Sequence, residues 1–292
     1  MTKFEWDLEK HGELAAGRVA DDLVQRHGYT APIDPLTVVK LERDSLRTGG
    51  ADFKDCFDGK LKYFPKKRCF TLLYNTKYDV GYPAGKHHPR TRFSIAHELG
   101  HYFLDAHREY LLKGGMPHPS RSEFRRVHRK IEREADAFAA SLLLPTQLIR
   151  SKVNRSFLTL SLIDELSRDF QTSPICTTFR TVSVSDDPCA VAGIRDGEVK
   201  WLFPSDRLIQ GACYPRKGYI KSDFAVERWE AFRAGDTSRL THEGEAADWL
   251  SIYGKAAKVG ELTVHEHYLP VKMLGTLVVL LTLDDNEVFG FG

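Results

Sequence analysis

Apolar residues recur along this chain in two periods, and the periods change in a definite order. From residue 10 to 27, Leu14, Ala15, Val19, Leu23 and Val24 fall on one side of an amphipathic helix, which Gly28 and the Pro32 to Pro35 region end. A short helix through Leu36, Val38, Val39 and Leu41 follows. The pattern then turns to strands over 57–64 and 68–75, separated by Pro65-Lys66-Lys67. Helical spacing returns in Phe93, Ala96, Leu99, Gly100 and Phe103, one buried face, and again in a strong helix over 129–144 that Pro145 stops. Two helices, 158–170 and 174–184, come next, the second opened by Ser173 as N-cap and Pro174 at its first position. From 186 onward the reading is a hairpin (189–194 and 198–203, turning at Arg195-Asp196-Gly197), a helix over 246–253, and strands over 261–269 and 274–283. The succession predicts an α+β protein in three parts: residues 1–150, a helical segment over 151–185 with helix-turn-helix proportions, and a C-terminal α+β domain over 186–292.

The helix around residues 92–103 carries His97-Glu98-Leu99-Gly100-His101. Histidines four residues apart share a helix face, so both imidazoles can reach one metal ion. Glu98 sits about 100° round the helix, near that ion but off the ligand axis, where a general base for water belongs. A zinc hydrolase also needs a third protein ligand and an open fourth position. His107 is one candidate, spaced as in H-E-x-x-H-x-x-G-x-x-H, but Leu104 stands where that pattern has glycine. Leucine favours continuing the helix, which would turn His107 roughly 120° from His101. The other candidate lies on the 129–144 helix, where Glu132 and Asp136 share a face with Ala135, Ala139, Leu142 and Leu143. A carboxylate carried inward on an apolar face asks for a partner or a metal. Glu132 is therefore assigned as the third ligand, and Asp136 as the residue that orients a ligand histidine. Glu134 points roughly 200° away and reads as solvent-facing.

The two stretches R-F-S-I-A-H-E-L-G-H-Y-F-L-D and E-R-E-A-D-A-F-A-A-S-L-L-L-P resemble the ImmA/IrrE family of bacterial metallopeptidases, a resemblance that extends over residues 10 to 185. It implies a zincin fold with two histidines and a glutamate on zinc, and a helical pair after the peptidase core. It also implies a regulatory protease with few substrates, often a helix-turn-helix repressor or an antitoxin cleaved after DNA damage or another signal. A C-terminal domain in related proteins serves as a sensor or interaction module. Helix register in the family leaves Glu134 as the alternative ligand; the face argument and the gluzincin-like E-x-x-x-D spacing favour Glu132.

Composition narrows the setting. Hydrophobic content of 42% and charged content of 28% are those of a soluble globular protein. A net charge of +2 implies no global polyanion partner, so any DNA contact would rest on local patches. One patch is the basic run Arg121, Arg125, Arg126, Arg129 and Lys130, which reads more readily as a solvated face. The helix over 174–184 offers only Thr177, Thr178 and Arg180 to a base edge. The N-terminus has no apolar core of a signal peptide, and the longest apolar run, Leu274 to Leu283, is too short to span a membrane. Five scattered cysteines without C-x-x-C fit a reduced, cytoplasmic protein. His87 and His88 read as solvated, and His265 and His267 as structural.

Two functional readings result. The first is a cytoplasmic zinc endopeptidase in which His97, His101 and Glu132 hold zinc and Glu98 is the general base, with Tyr102, His107 or His128 as oxyanion partner. The strand over 68–75 would then either pair with an extended substrate or sit inside the sheet. The second is a regulator that binds DNA or a partner and keeps zinc only as structure; an intact Glu98 speaks against it.

Overall fold

A computed structural model describes residues 3–115, 126–253 and 262–289. The chain divides into two compact units, one of Met1–Leu148 with Leu166–Ser173, the other of Ile149–Glu165 with Pro174–Gly292. It is an α+β protein.

The first unit runs α1 (Lys3–His27), α2 (Pro35–Leu41), β1 (Leu46–Ala51), β2 (Gly59–Phe64), β3 (Cys69–Asn75), α3 (Pro89–Phe103), α4 (Asp105–Leu112) and α5 (Arg126–Leu143). Its sheet has the order β1-β3-β2, with β1 parallel and β2 antiparallel to β3. Leu61, Phe70 and Leu72 of the sheet, Ile95, Ala96, Leu99 and Tyr102 of α3, Phe138, Ala139 and Leu142 of α5, and Ala16 and Ala20 of α1 form one buried core. The helix that carries the histidines is thus held from the sheet side and the helix side together, which fixes its rotation. At the crossing of α3 and α5, a Cβ on Gly100 would stand 3.1 Å from the Ala135 Cα, so glycine sets how closely the two helices approach.

Three features depart from the sequence reading. The strand over 68–75 takes the internal one of its two expected places, so that the edge strand beside α3 is β2 instead. Position β1 takes the other edge; its L-R-T-G-G-A carries no strand-forming period, yet Gly50 leaves room for the Tyr74 ring, which a Cβ would meet at 2.4 Å. Second, α3 does end at Phe103. Leu104 adopts an extended conformation with negative φ (−80°, ψ 113°), which any residue can take, and α4 restarts at Asp105. No glycine is needed for that break. Third, His87 and His88 are not solvated: His87 Nδ1 lies 2.6 Å from Asp79 Oδ2, and His88 Nδ1 caps α3 by accepting the Arg90 N–H at 3.1 Å.

After α5 come α6 (Thr146–Val153), α7 (Leu160–Phe170) and α8 (Pro174–Val184). The second unit continues with β4 (Cys189–Arg195), β5 (Glu198–Pro204), α9 (Asp206–Gln210), β6 (Cys213–Pro215), β7 (Gly218–Tyr219), α10 (Asp223–Arg233), β8 (Thr241–Glu245), α11 (Ala246–Trp249), β9 (Leu250–Ile252), β10 (Thr263–Val271), β11 (Thr276–Thr282) and α12 (Asp285–Phe289). Six strands form an antiparallel sheet in the order β7-β5-β4-β11-β10-β8, and β6 pairs with β9. The expected helix over 246–253 is only the turn of α11, because the chain extends again at Leu250 to pair with β6. Residue 261 of the expected strand lies outside the described residues. Buried Glu266 on β10 is satisfied by Trp249 Nε1 at 2.6 Å and by the Tyr268 hydroxyl. His265 and His267 contact Glu243 and Thr241 on the neighbouring strand. No helix among the described residues is long and apolar enough to cross a membrane.

Candidate metal centre

On α3, His97 and His101 stand one turn apart and point the same way, with their Nε2 atoms 3.1 Å from each other. Glu132, on α5, brings Oε2 to 3.3 Å from His97 Nε2 and Oε1 to 3.6 Å from His101 Nε2. Among the described residues this is the one group of three His, Cys, Asp or Glu side chains whose ligand atoms converge, all lying within 4.8 Å of one another.

The outer nitrogens explain what that convergence requires. His97 Nδ1 lies 2.8 Å from Asp136 Oδ1, a carboxylate that only accepts, so the proton is on Nδ1 and Nε2 keeps its lone pair. Two buried imidazole nitrogens and a carboxylate then face one another without a donor among them. With the imidazoles neutral such an arrangement repels itself; a proton on Nε2 or a metal cation between the groups relieves it. Burial by itself would lower the His97 pKa, yet Asp136 and Glu132 hold it well above the usual imidazole value, which expresses the same demand for positive charge. Two histidines and one glutamate are a donor set that suits zinc and leave one coordination position for water or substrate. The residues fit the metal.

Glu98 faces the opposite wall. Its side chain is buried against β2, and neither carboxylate oxygen makes a hydrogen bond of ordinary geometry. Burial pushes its pKa up to about 7; His97 draws it down, Glu132 pushes it up, and the Leu61 N–H and Lys60 draw it down. A carboxylate held near neutrality takes and returns a proton at physiological pH. Around it, Leu61, His101, His107, Tyr110, Leu111 and Ile131 line a small pocket.

Several expected side chains lie elsewhere. Tyr102 is fully buried with its hydroxyl on Glu42 (2.8 Å) and Ser45 (2.6 Å), away from the ligand nitrogens, so it is no oxyanion partner. His107, brought back by the break at Leu104, is buried with Nδ1 3.1 Å from His101 Nδ1 and Nε2 2.9 Å from Glu134 Oε2. It therefore approaches the outer nitrogen of His101 and does not join the converging ligand atoms. Burial lowers its pKa, and Glu134 only partly offsets this. Glu134 itself is 17% exposed and not solvent-facing, because α1 packs on that side of α5 and Gly12 lies against its carboxylate. Arg121 and Arg125, with the side chains of Arg126, His128 and Arg129, lie outside the described residues. Sequence reasoning missed Tyr110, whose only signal is its place one turn beyond His107.

Residues 57–181 match the IrrE N-terminal-like domain, a peptidase family. No curated protein matches the chain. Eleven chains of solved structures match; one, a Mycobacterium tuberculosis transcriptional regulator, has 12% identity and a TM-score of 0.57, over 94% of this chain and 78% of that one. At that identity the likeness is one of fold. The segment that matches the peptidase domain holds His97, Glu98, His101 and Glu132 together, which supports the ImmA/IrrE assignment that the two sequence stretches imply.

Proposed function

We propose that this protein is a zinc-dependent endopeptidase with a zincin-like core, acting in the cytoplasm on a specific regulatory protein such as a helix-turn-helix repressor or an antitoxin. One observation carries the reading: a buried carboxylate that makes no hydrogen bond of ordinary geometry, Glu98, stands beside a converging pair of histidines and a glutamate. A structural metal site has no use for such a base. When bound by His97, His101 and Glu132, zinc would acidify a water and polarise the scissile carbonyl. Glu98 accepts the proton of the attacking water and delivers it to the leaving amine. Asp136 holds His97 in the ligating tautomer.

The edge strand supplies a place for the substrate backbone. Asn75 N–H donates to Asp58 O at 2.9 Å, and an antiparallel ladder alternates, so Gly59, Leu61 and Tyr63 turn their N–H and C=O groups to the outer edge of β2. Among the described residues no strand pairs with that edge. An extended peptide added there would pass beside Glu98.

The second reading, a transcriptional regulator, is favoured by the fold shared with the Mycobacterium tuberculosis transcriptional regulator and by the α7–α8 pair. Against it, Thr177 and Thr178 of α8 are buried, which leaves Arg180 alone of the expected base-reading groups. Purified Glu98→Gln protein separates the two: it should keep zinc and lose cleavage, whereas a regulator would keep its full biological activity.

A further inference from the structure

Beyond the three ligands, the geometry points to His107 and Glu134 as a positioning pair: Glu134 fixes the tautomer of His107, and His107 in turn fixes that of His101, so that His101 offers Nε2 to the metal. The inference rests on the zinc reading above and concerns residues outside the ligand set.

Hydrogen-bond logic carries it. His101 Nδ1 and His107 Nδ1 lie 3.1 Å apart, so one must donate and the other accept. Which one donates is decided at the far end of the chain of contacts. Glu134 Oε2, 2.9 Å from His107 Nε2, belongs to a group that only accepts when ionised. His107 therefore keeps its hydrogen on Nε2 and presents a bare Nδ1. His101 must then carry its hydrogen on Nδ1, which leaves Nε2 as a lone pair directed at His97 Nε2 and Glu132. The opposite arrangement would put a hydrogen on His101 Nε2 and close the site to a metal.

The surroundings hold this relay in place. His107 is 4% exposed, brought under α3 by the extended conformation of Leu104. Glu134 is held where Gly12 lets α1 approach: a Cβ there would stand 2.2 Å from Glu134 Oε1 and push the carboxylate aside. Lys130 Nζ lies 3.8 Å from the same oxygen. The two ligand histidines are thus oriented by different means, His97 directly by Asp136 and His101 through a second imidazole.

The test uses the full chain with zinc as the probe. Zinc affinity is read by competition with a chelator, and the His101 tautomer by long-range proton–nitrogen spectra of the histidine-labelled, metal-free protein. Wild type should retain zinc and show His101 with its hydrogen on Nδ1. His107→Ala and Glu134→Gln should each lose roughly 10- to 100-fold in zinc affinity and show a mixed His101 tautomer. His107→Asn, whose amide oxygen can take the place of Nδ1 as acceptor, should recover most of the affinity, which a loss of packing alone would not do. Unchanged affinity and tautomer in both His107→Ala and Glu134→Gln would overturn the inference, as would an Asn variant no better than Ala. A wild type that fails to retain zinc would instead overturn the metal reading itself, whatever the variants do.

Discussion

Gly59 of β2 lies directly against Glu98 of α3: a Cβ at position 59 would stand 2.8 Å from both Cγ and Oε1 of the glutamate. The edge strand and the proposed base are therefore set by one contact. Gly59→Ala should displace Glu98 without touching His97, His101 or Glu132. Turnover should fall by about tenfold or more while zinc retention stays at the wild-type level, since a misplaced base loses much of the 10²- to 10⁴-fold that such groups contribute. Steady-state cleavage together with metal analysis checks both halves.

The edge of β2 can be tested one hydrogen bond at a time. Tyr63 turns its N–H outward, so Tyr63→Pro removes a donor to the substrate and leaves the β2–β3 ladder intact. The ring also packs on Phe70, with centroids 4.8 Å apart, so Tyr63→Ala is the control that loses the ring and keeps the N–H. Relative to Ala, Pro should lower kcat/KM by up to about tenfold, the worth of one such bond. Equal values for the two would remove β2 as the substrate's partner.

The carboxylates around the histidines should rank in a fixed order. Glu132→Gln removes a charged ligand and should weaken zinc binding by more than the roughly 100-fold expected for loss of an orienting residue. Asp136→Asn keeps an oxygen that can accept from His97 Nδ1 and should cost the least. Chelator competition gives both affinities; a milder effect at Glu132 than at Asp136 would move the third ligand elsewhere.

How much of this was legible beforehand follows from which forces write a period into sequence. The faces of α3 and α5 were readable because a buried helix repeats its apolar residues every three to four positions, and that repeat carries His97, His101 and Glu132 inward with it. Glu134 was misread because the same argument assumes one buried face, whereas α5 is packed by α3 and by α1. The return of His107 depends on two backbone angles at Leu104, and leucine gives no sign of them. Strand β1 was invisible because Gly49 and Gly50 carry no side-chain pattern; the value of Gly50 lies in the room it leaves for Tyr74. In the second unit, β6, β7 and β9 are two or three residues long, too short for any period to register.

Burial of Glu98 predicts a pH dependence of stability. Its pKa is about 7 in the folded protein against an ordinary 4.5. Between those values the folded state holds a proton that the unfolded chain has released, so stability falls as pH rises through this window, by about 3 kcal/mol in total. Metal-free Glu98→Gln should escape the loss. Denaturant unfolding should find the variant more stable than metal-free wild type at pH 8, with the pH-dependent part of the difference gone at pH 4.

The central claim is that Glu98 takes part in cutting a peptide bond. A census of new protein N-termini in host cells expressing wild type or Glu98→Gln, with and without DNA damage, tests it most directly. The account predicts cut sites confined to the wild type, in one or a few regulatory proteins, while the variant still retains zinc. Identical N-termini in both, with zinc bound and the same biological activity under every condition, would contradict it.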